Sequence, residues 1–163
     1  MQVMESAVAV IDARTDIEAL YRADGDRLWR AIYAFAGDPD IASDAVAEAY
    51  AQLIRRGAAI RDPAAWVWRA AFRISRGALK ARRRHEAAAQ PAADHADVYM
   101  DQDLLAAVRA LPEGQRAAVI LFYYADLPVA QIADRMGTNG LAVRANLSRG
   151  RRRLRDLLGE RDG

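Results

Sequence analysis

The stretch LPEGQRAAVILFYYADLPVAQIADRMGTNGLAVRANLSRGRRRLRDLL, residues 111–158, decides the fold. Pro112, Pro128 and Gly137 divide it, since proline is tolerated only in a helix's first turn and glycine closes a helix. The spacing predicts a helix over 113–125 with Val119, Ile120, Phe122 and Tyr123 apolar, a short helix ending at Met136, and a long one from 140 to 158. At roughly 100° per residue, Val143, Leu147, Gly150 and Leu154 share one line on the last helix. That line packs on Ile132, Ala133 and Met136. Leu141, Arg144, Ala145, Ser148 and Arg152 then point outward, with Arg149, Arg151 and Arg153 flanking them. Thr138 or Asn139 is positioned to cap the helix, leaving N–H groups and the positive dipole end for a phosphate. Two helices joined by a tight glycine turn, the second rich in Arg, is the layout of a DNA-binding helix-turn-helix.

Upstream, the same punctuation recurs. Ile17, Leu20, Tyr21, Leu28, Ile32 and Phe35 form one stripe of a helix that stops before Gly37. Asp38-Pro39 reads as N-cap followed by a first-turn proline, opening a helix with Ile41, Ala45, Ala49 and Leu53 inward and Gly57 as its stop. Asp62-Pro63 repeats the device, and the helix it opens runs to Arg84 with Trp66, Ala70, Ile74 and Ala78 on its inner face. Residues 85–100, HEAAAQPAADHADVYM, carry no amphipathic stripe and read as a linker. A helix over 103–110 follows, ended by Leu111-Pro112. No alternating β pattern competes. The expected fold is all-α: two small helical domains, residues 1–84 and 102–163, joined by a linker at 85–101.

Charge is distributed in blocks. Residues 1–48 carry ten acids against four Arg, whereas 63–85 carry six Arg and one Lys with no acid. Residues 86–103 hold acids and no base, and 144–155 hold six Arg and no acid. Such alternation points to two polyanion-facing surfaces, although solvated helix faces in an Arg-rich composition would look the same. There is no Cys, and the two His, His85 and His95, stand apart from any ligand set. Thiol chemistry, a disulfide framework, a metal site and a catalytic triad are thereby set aside, and neither cofactor nor enzymatic activity is expected. No apolar run approaches the ~20 residues that cross a bilayer. The N-terminus lacks the charged and apolar regions of a signal peptide, so a cytoplasmic protein is expected.

With these residues in view, the chain resembles sigma factors of the extracytoplasmic-function group, compact promoter-recognition subunits of bacterial RNA polymerase. Residues 111–158 resemble the group's region four: an LPxxxR opening, an LxYYxxL helix, an xxIAxxxG helix, then VRxxLxRxRxxL. Residues 17–84 resemble region two, in YRADGDRLWRAIYAFAGDPDIASDAVAEAYAQLI and in DPAAWVWRAAFRISRGALKARRR. Some positions depart from the group: Ala45 and Ala47 where it has larger residues, Arg73 where it has Asn, and Leu141, Asn146 and Gly150 in the recognition helix.

The resemblance implies a division of labour. Region two would bind the polymerase's largest subunit through Asp44, Glu48, Tyr50 and Gln52. It would hold the opened −10 element through Arg56, Arg61, Trp68, Arg69, Phe72, Arg73, Arg76 and Lys80. Cations along the backbone with planar rings for stacking suit single strands. Trp68 and Phe72, four apart, could equally be core, whereas Trp66 is expected inward. Region four would read the −35 duplex through Asn139, Leu141, Arg144, Ala145, Ser148, Arg149, Arg151 and Arg152, and pack on the second large subunit. Core polymerase, promoter DNA and an anti-sigma protein are the implied partners, without membrane insertion. Two other readings stay open: a stand-alone helix-turn-helix regulator, and a sigma mimic that titrates an anti-sigma protein.

Overall fold

The structure is a computed structural model that describes residues 1–85 and 101–159, apart from the side chains of 6–13, 15 and 58. Among those residues the regular structure is all helical, the helices being joined by short turns. The predicted linker falls outside them except for its ends, His85 and Asp101.

The first lobe is a three-helix bundle. Helix α1, Gln2–Ala36, starts well before the predicted stripe and ends at Gly37, whose φ of 72° lets its N–H reach the Tyr33 carbonyl at 2.8 Å. That left-handed turn favours glycine. Helix α2, Pro39–Arg56, is capped by Asp38, whose carboxylate accepts from the N–H groups of Asp40 (2.8 Å) and Ile41 (3.2 Å). The same carboxylate pairs with Arg82, which ties the start of α2 to the end of α3. Helix α3, Pro63–His85, opens with Asp62 accepting from Ala65 N–H at 3.1 Å. Leu28, Ile32, Phe35, Leu53, Val67 and Trp68 fill the bundle and are almost wholly buried.

The inner face predicted for α3 is corrected. Of Trp66, Ala70, Ile74 and Ala78, only Ala70 is buried; the deep side chains are Val67, Trp68, Ala71, Phe72, Ser75 and Leu79. The cause is that α3 packs on α1 and α2 from one side and on the second lobe from another, so its buried arc exceeds one stripe. Tyr21, assigned to the inner stripe of α1, is 55% exposed.

The second lobe comprises α4 (Gln102–Arg109), α5 (Glu113–Val119), α6 (Val129–Met136) and α7 (Gly140–Gly159). Asp101 caps α4 through Asp103 N–H at 3.0 Å. The continuous helix predicted over 113–125 instead widens to a π-helical stretch over Ile120–Tyr124, where Ala125 N–H reaches the Ile120 carbonyl at 3.1 Å. Gly137, φ 67°, turns the chain from α6 into α7. Of the two candidate caps, Asn139 does the work: its Oδ1 accepts from Ala142 N–H at 2.9 Å. Val143, Leu147 and Gly150 are buried as the period required.

The lobes are not separate bodies in this structure. Helix α3 lies against α6 and α1 against α4, and one apolar cluster runs through both lobes. Among the described residues no helix is long and apolar enough to cross a membrane, and no His, Asp or Glu cluster could hold a metal ion.

Candidate nucleic-acid interface

Helix α7 buries one line against α5 and α6 and turns the other outward. Leu141 is 77% exposed, and Arg144, Ser148, Arg149 and Arg152 are exposed; Ala145 is half-buried between them. No acid lies between Gly140 and Arg155, so the face is uniformly cationic. The capping bond at Asn139 fixes the first turn, and the Arg144 guanidinium folds back beside it, next to Gly140. Arg151 stands apart from the other candidates. It donates to the Tyr123 hydroxyl at 3.1 Å and lines an apolar groove with Leu154, Leu104 and Tyr124, away from the outward face.

A second cationic surface surrounds the turn between α2 and α3. Arg56, Arg61, Trp66 and Arg69 line an open cleft of ≈ 550 Å³, whose far wall is Asp134 from α6. The Arg56 guanidinium sits 5.6 Å over the Trp66 ring. Arg69 donates through Nε (2.7 Å) and also through Nη2 to the Asp134 carbonyl. Arg73, Arg76 and Lys80 are exposed further along α3.

Trp68 and Phe72 do not join this surface. Trp68 is 0% exposed and its indole N–H donates to Asp24 at 2.6 Å. Phe72 packs edge-on to Phe35, ring centres 5.2 Å apart. Half-exposed Trp66, expected to be core, is the ring that faces the cleft. The two Trp roles are therefore exchanged: α3 is covered on two sides, and single-stripe reasoning rotates its faces.

The acid-bearing face of α2 is partly as read. Asp44 and Glu48 are exposed. Glu48 accepts from Gln52 at 3.0 Å and Arg55 at 2.9 Å, and these bonds hold its carboxyl below the usual range. Gln52 is half-buried. Tyr50 is a correction: it is 5% exposed, edge-on to Tyr21 at 5.0 Å, with its hydroxyl buried and unpartnered. Burial, with Asp24 nearby, pushes its phenol up to about 12. A side chain so placed cannot meet a protein surface from outside in this conformation.

Three arginines escaped the sequence reading. Arg109, Arg116 and Arg135 of the second lobe lie over Tyr33 (5.3 Å), Phe35 (4.6 Å) and Trp68 (4.9 Å) of the first. Arg116 is 7% exposed and donates to the Arg109 carbonyl at 2.9 Å. Burial lowers the pKa of Arg116 and of Arg135. Arg116 closes the LPxxxR opening quoted above, but a sequence does not tell a buried Arg from a surface one.

The family model described as Sigma-70, region 4 matches residues 101–154. Among curated proteins, none matches the chain. The fold resembles that of the sigma factor RpoE from Bartonella quintana, solved in complex with the anti-sigma factor NepR. That likeness has 20% identity and a TM-score of 0.74 over 91% of this chain and 97% of the other. It also resembles CnrH, solved in complex with the cytosolic domain of CnrY, with 19% identity and a TM-score of 0.72 over 94% of both chains.

Proposed function

We propose that this chain, which carries a match to Sigma-70, region 4 over residues 101–154 and shares the fold of compact sigma factors, is a sigma factor of the extracytoplasmic-function type that binds core RNA polymerase and promoter DNA as follows. The observation that carries the reading is the outward face of α7, Arg-rich and free of acid, behind an Asn139-capped first turn. That face would enter the major groove of the −35 element, with Asn139, Leu141, Arg144, Ala145 and Ser148 toward base edges. Arg149 and Arg152 would hold phosphates, which position a protein without specifying sequence.

The cleft between α2 and α3 would receive the opened −10 strand. Arg56, Arg61, Arg69 and then Arg73, Arg76 and Lys80 would follow the backbone, and Trp66 would offer the stacking surface. Trp68 and Phe72 would support that surface from the core. Asp44, Glu48 and Gln52 would meet the largest polymerase subunit. Such a protein performs no catalysis and acts in the cytoplasm, where polymerase works. Residues 1–84 and 102–163 would be the two domains, joined by 85–101. An anti-sigma protein is a further expected partner, since the similar RpoE fold was solved with one.

In vitro transcription with sigma-free core polymerase, this protein and genomic DNA tests the reading. Discrete new start sites sharing two upstream elements are expected. Tight binding of a palindrome by the isolated protein, with no transcription, would favour a stand-alone regulator.

A further inference from the structure

We infer that Leu141 reads the C5-methyl group of a thymine in the major groove, within about two base pairs of the base met by Arg144. The inference rests on the −35 reading above and deepens it, by naming the feature of the duplex that one side chain recognises.

Leu141 is the one large apolar side chain among the exposed residues of α7, and it is 77% exposed. Isolated exposed leucines are ordinary on a mixed surface. This one stands on a face that is otherwise Arg-rich and free of acid, and its backbone is fixed. The Asn139 cap bonds Ala142 N–H at 2.9 Å, which makes Leu141 the second residue of the helix. Gly140 beside it rests on α6: a Cβ there would lie 3.6 Å from Val129 Cγ1. Val143, two residues on, is wholly buried. With Gly140 and Val143 held against the lobe, the first turn presents Leu141 outward from a rigid element, as a specific contact requires.

The neighbours decide what it can meet. Ala145 and Ser148, four and seven residues on, share its stripe, so the first two turns of that stripe are uncharged. The Arg144 guanidinium lies to one side, 3.5 Å from where a Gly140 Cβ would be. Phosphate oxygens are met by cations and N–H donors, and a leucine side chain supplies neither. Base edges in the major groove carry donors, acceptors and one protruding apolar group, the thymine methyl. Contact with that methyl is the one that removes apolar surface from water on both partners. Residues three apart on a helix have Cβ atoms about 5–6 Å apart, and base pairs rise about 3.4 Å, which sets the spacing between the thymine and the base met by Arg144.

Deoxyuridine in place of thymidine removes that methyl and leaves the hydrogen-bonding groups unchanged, so it isolates the contact. The probe is a promoter duplex from a start site mapped by transcription, with each thymine of its −35 element replaced singly on either strand. Competition binding by the holoenzyme should reveal one position where deoxyuridine lowers affinity about fourfold, the effect of one buried methyl-sized group. That position should lie within about two base pairs of those whose preference Arg144→Ala flattens. Leu141→Ala should weaken binding of the unmodified duplex by a similar factor and abolish the sensitivity to deoxyuridine there, whereas Leu141→Met should keep it. The side chain is exposed, so both variants should melt with the parent. A deoxyuridine loss that persists in Leu141→Ala would report a property of the duplex and overturn the contact. Indifference to deoxyuridine at every position, or a −35 element without thymine, would overturn it too. Absence of any specific initiation with core polymerase would instead defeat the sigma reading, and this inference with it.

Discussion

Gly150 of α7 backs onto Val119 of α5 so closely that a Cβ at position 150 would lie 2.9 Å from the Val119 Cγ2. Two helices of the second lobe therefore approach at a point where no side chain fits. Replacing a mid-helix glycine by Ala ordinarily helps by about 1 kcal/mol. Overpacking a tight contact costs about 1–3 kcal/mol, so the loss should win. Gly150→Ala should lower the melting temperature, and Val119→Ala should relieve it in the double variant, giving a favourable coupling in a double-mutant cycle. Equal melting temperatures for Gly150→Ala and the parent would show that α5 yields there freely.

That contact illustrates what the sequence displayed and what it did not. The period of α7 placed Val143, Leu147 and Gly150 inward, because a helix packed on one side writes its environment as a single stripe. The caps were equally legible: Asp38-Pro39, Asp62-Pro63 and the glycines at 37, 57 and 137 are local signals with local causes. Helix α3 was misread because two partners cover it, so Trp66 and Trp68 exchanged places. The arginines at 109, 116 and 135 were invisible for a different reason. Their partners lie far away in the chain, and long-range pairing leaves no mark in a local period.

Tyr50 offers a test by pH. Its phenol is raised to about 12 in the folded state, from a usual 10, chiefly by burial. A raised pKa means that the folded state keeps its proton longer than the unfolded chain. The associated stability is complete below pH 10 and is lost as pH climbs from 10 through 12. Tyr50→Phe should flatten that loss in alkaline denaturation curves. At neutral pH it should cost under about 1 kcal/mol, since the hydroxyl it removes has no partner. Transcription by the variant should match the parent; a tenfold drop with unchanged stability would restore Tyr50 to the polymerase-facing surface.

Trp66 and Trp68 are two positions apart in α3 and should fail in opposite ways. Trp68 is wholly buried and bonded to Asp24, so Trp68→Ala should cost about 3–5 kcal/mol of stability, as for other large core truncations. Trp66 is half-buried and faces the cleft, so its loss should cost less stability than that of Trp68 while removing about 1–3 kcal/mol of base stacking. Thermal melts and binding of a −10 single strand by each mutant holoenzyme give both readouts. A destabilised Trp66→Ala with normal strand binding would return Trp66 to a structural role.

Arg144 and Arg149 are both exposed on α7, yet they should differ in what they read. Arg144 lies one turn past the Asn139 cap, beside Leu141, Ala145 and Ser148, the part of a recognition helix that meets base edges. A guanidinium there can pair with both acceptors of a guanine, which is worth about 1–3 kcal/mol of discrimination against other bases. Arg149 lies further along and toward the flank, where a phosphate would be the nearer target in the proposed docking. Phosphate contacts contribute affinity and salt dependence but no direct sequence information. Arg144→Ala should therefore flatten preference at one or two −35 positions. Arg149→Ala should weaken all promoters alike and reduce the slope of log affinity against log salt by about one contact's share, just under 1. Neither side chain is buried, so both variants should melt within about 0.5 kcal/mol of the parent. A panel of −35 variants assayed with each mutant holoenzyme separates the two. If Arg144→Ala lowers activity uniformly across that panel, its guanidinium holds backbone, and base reading passes to Asn139, Leu141 and Ser148.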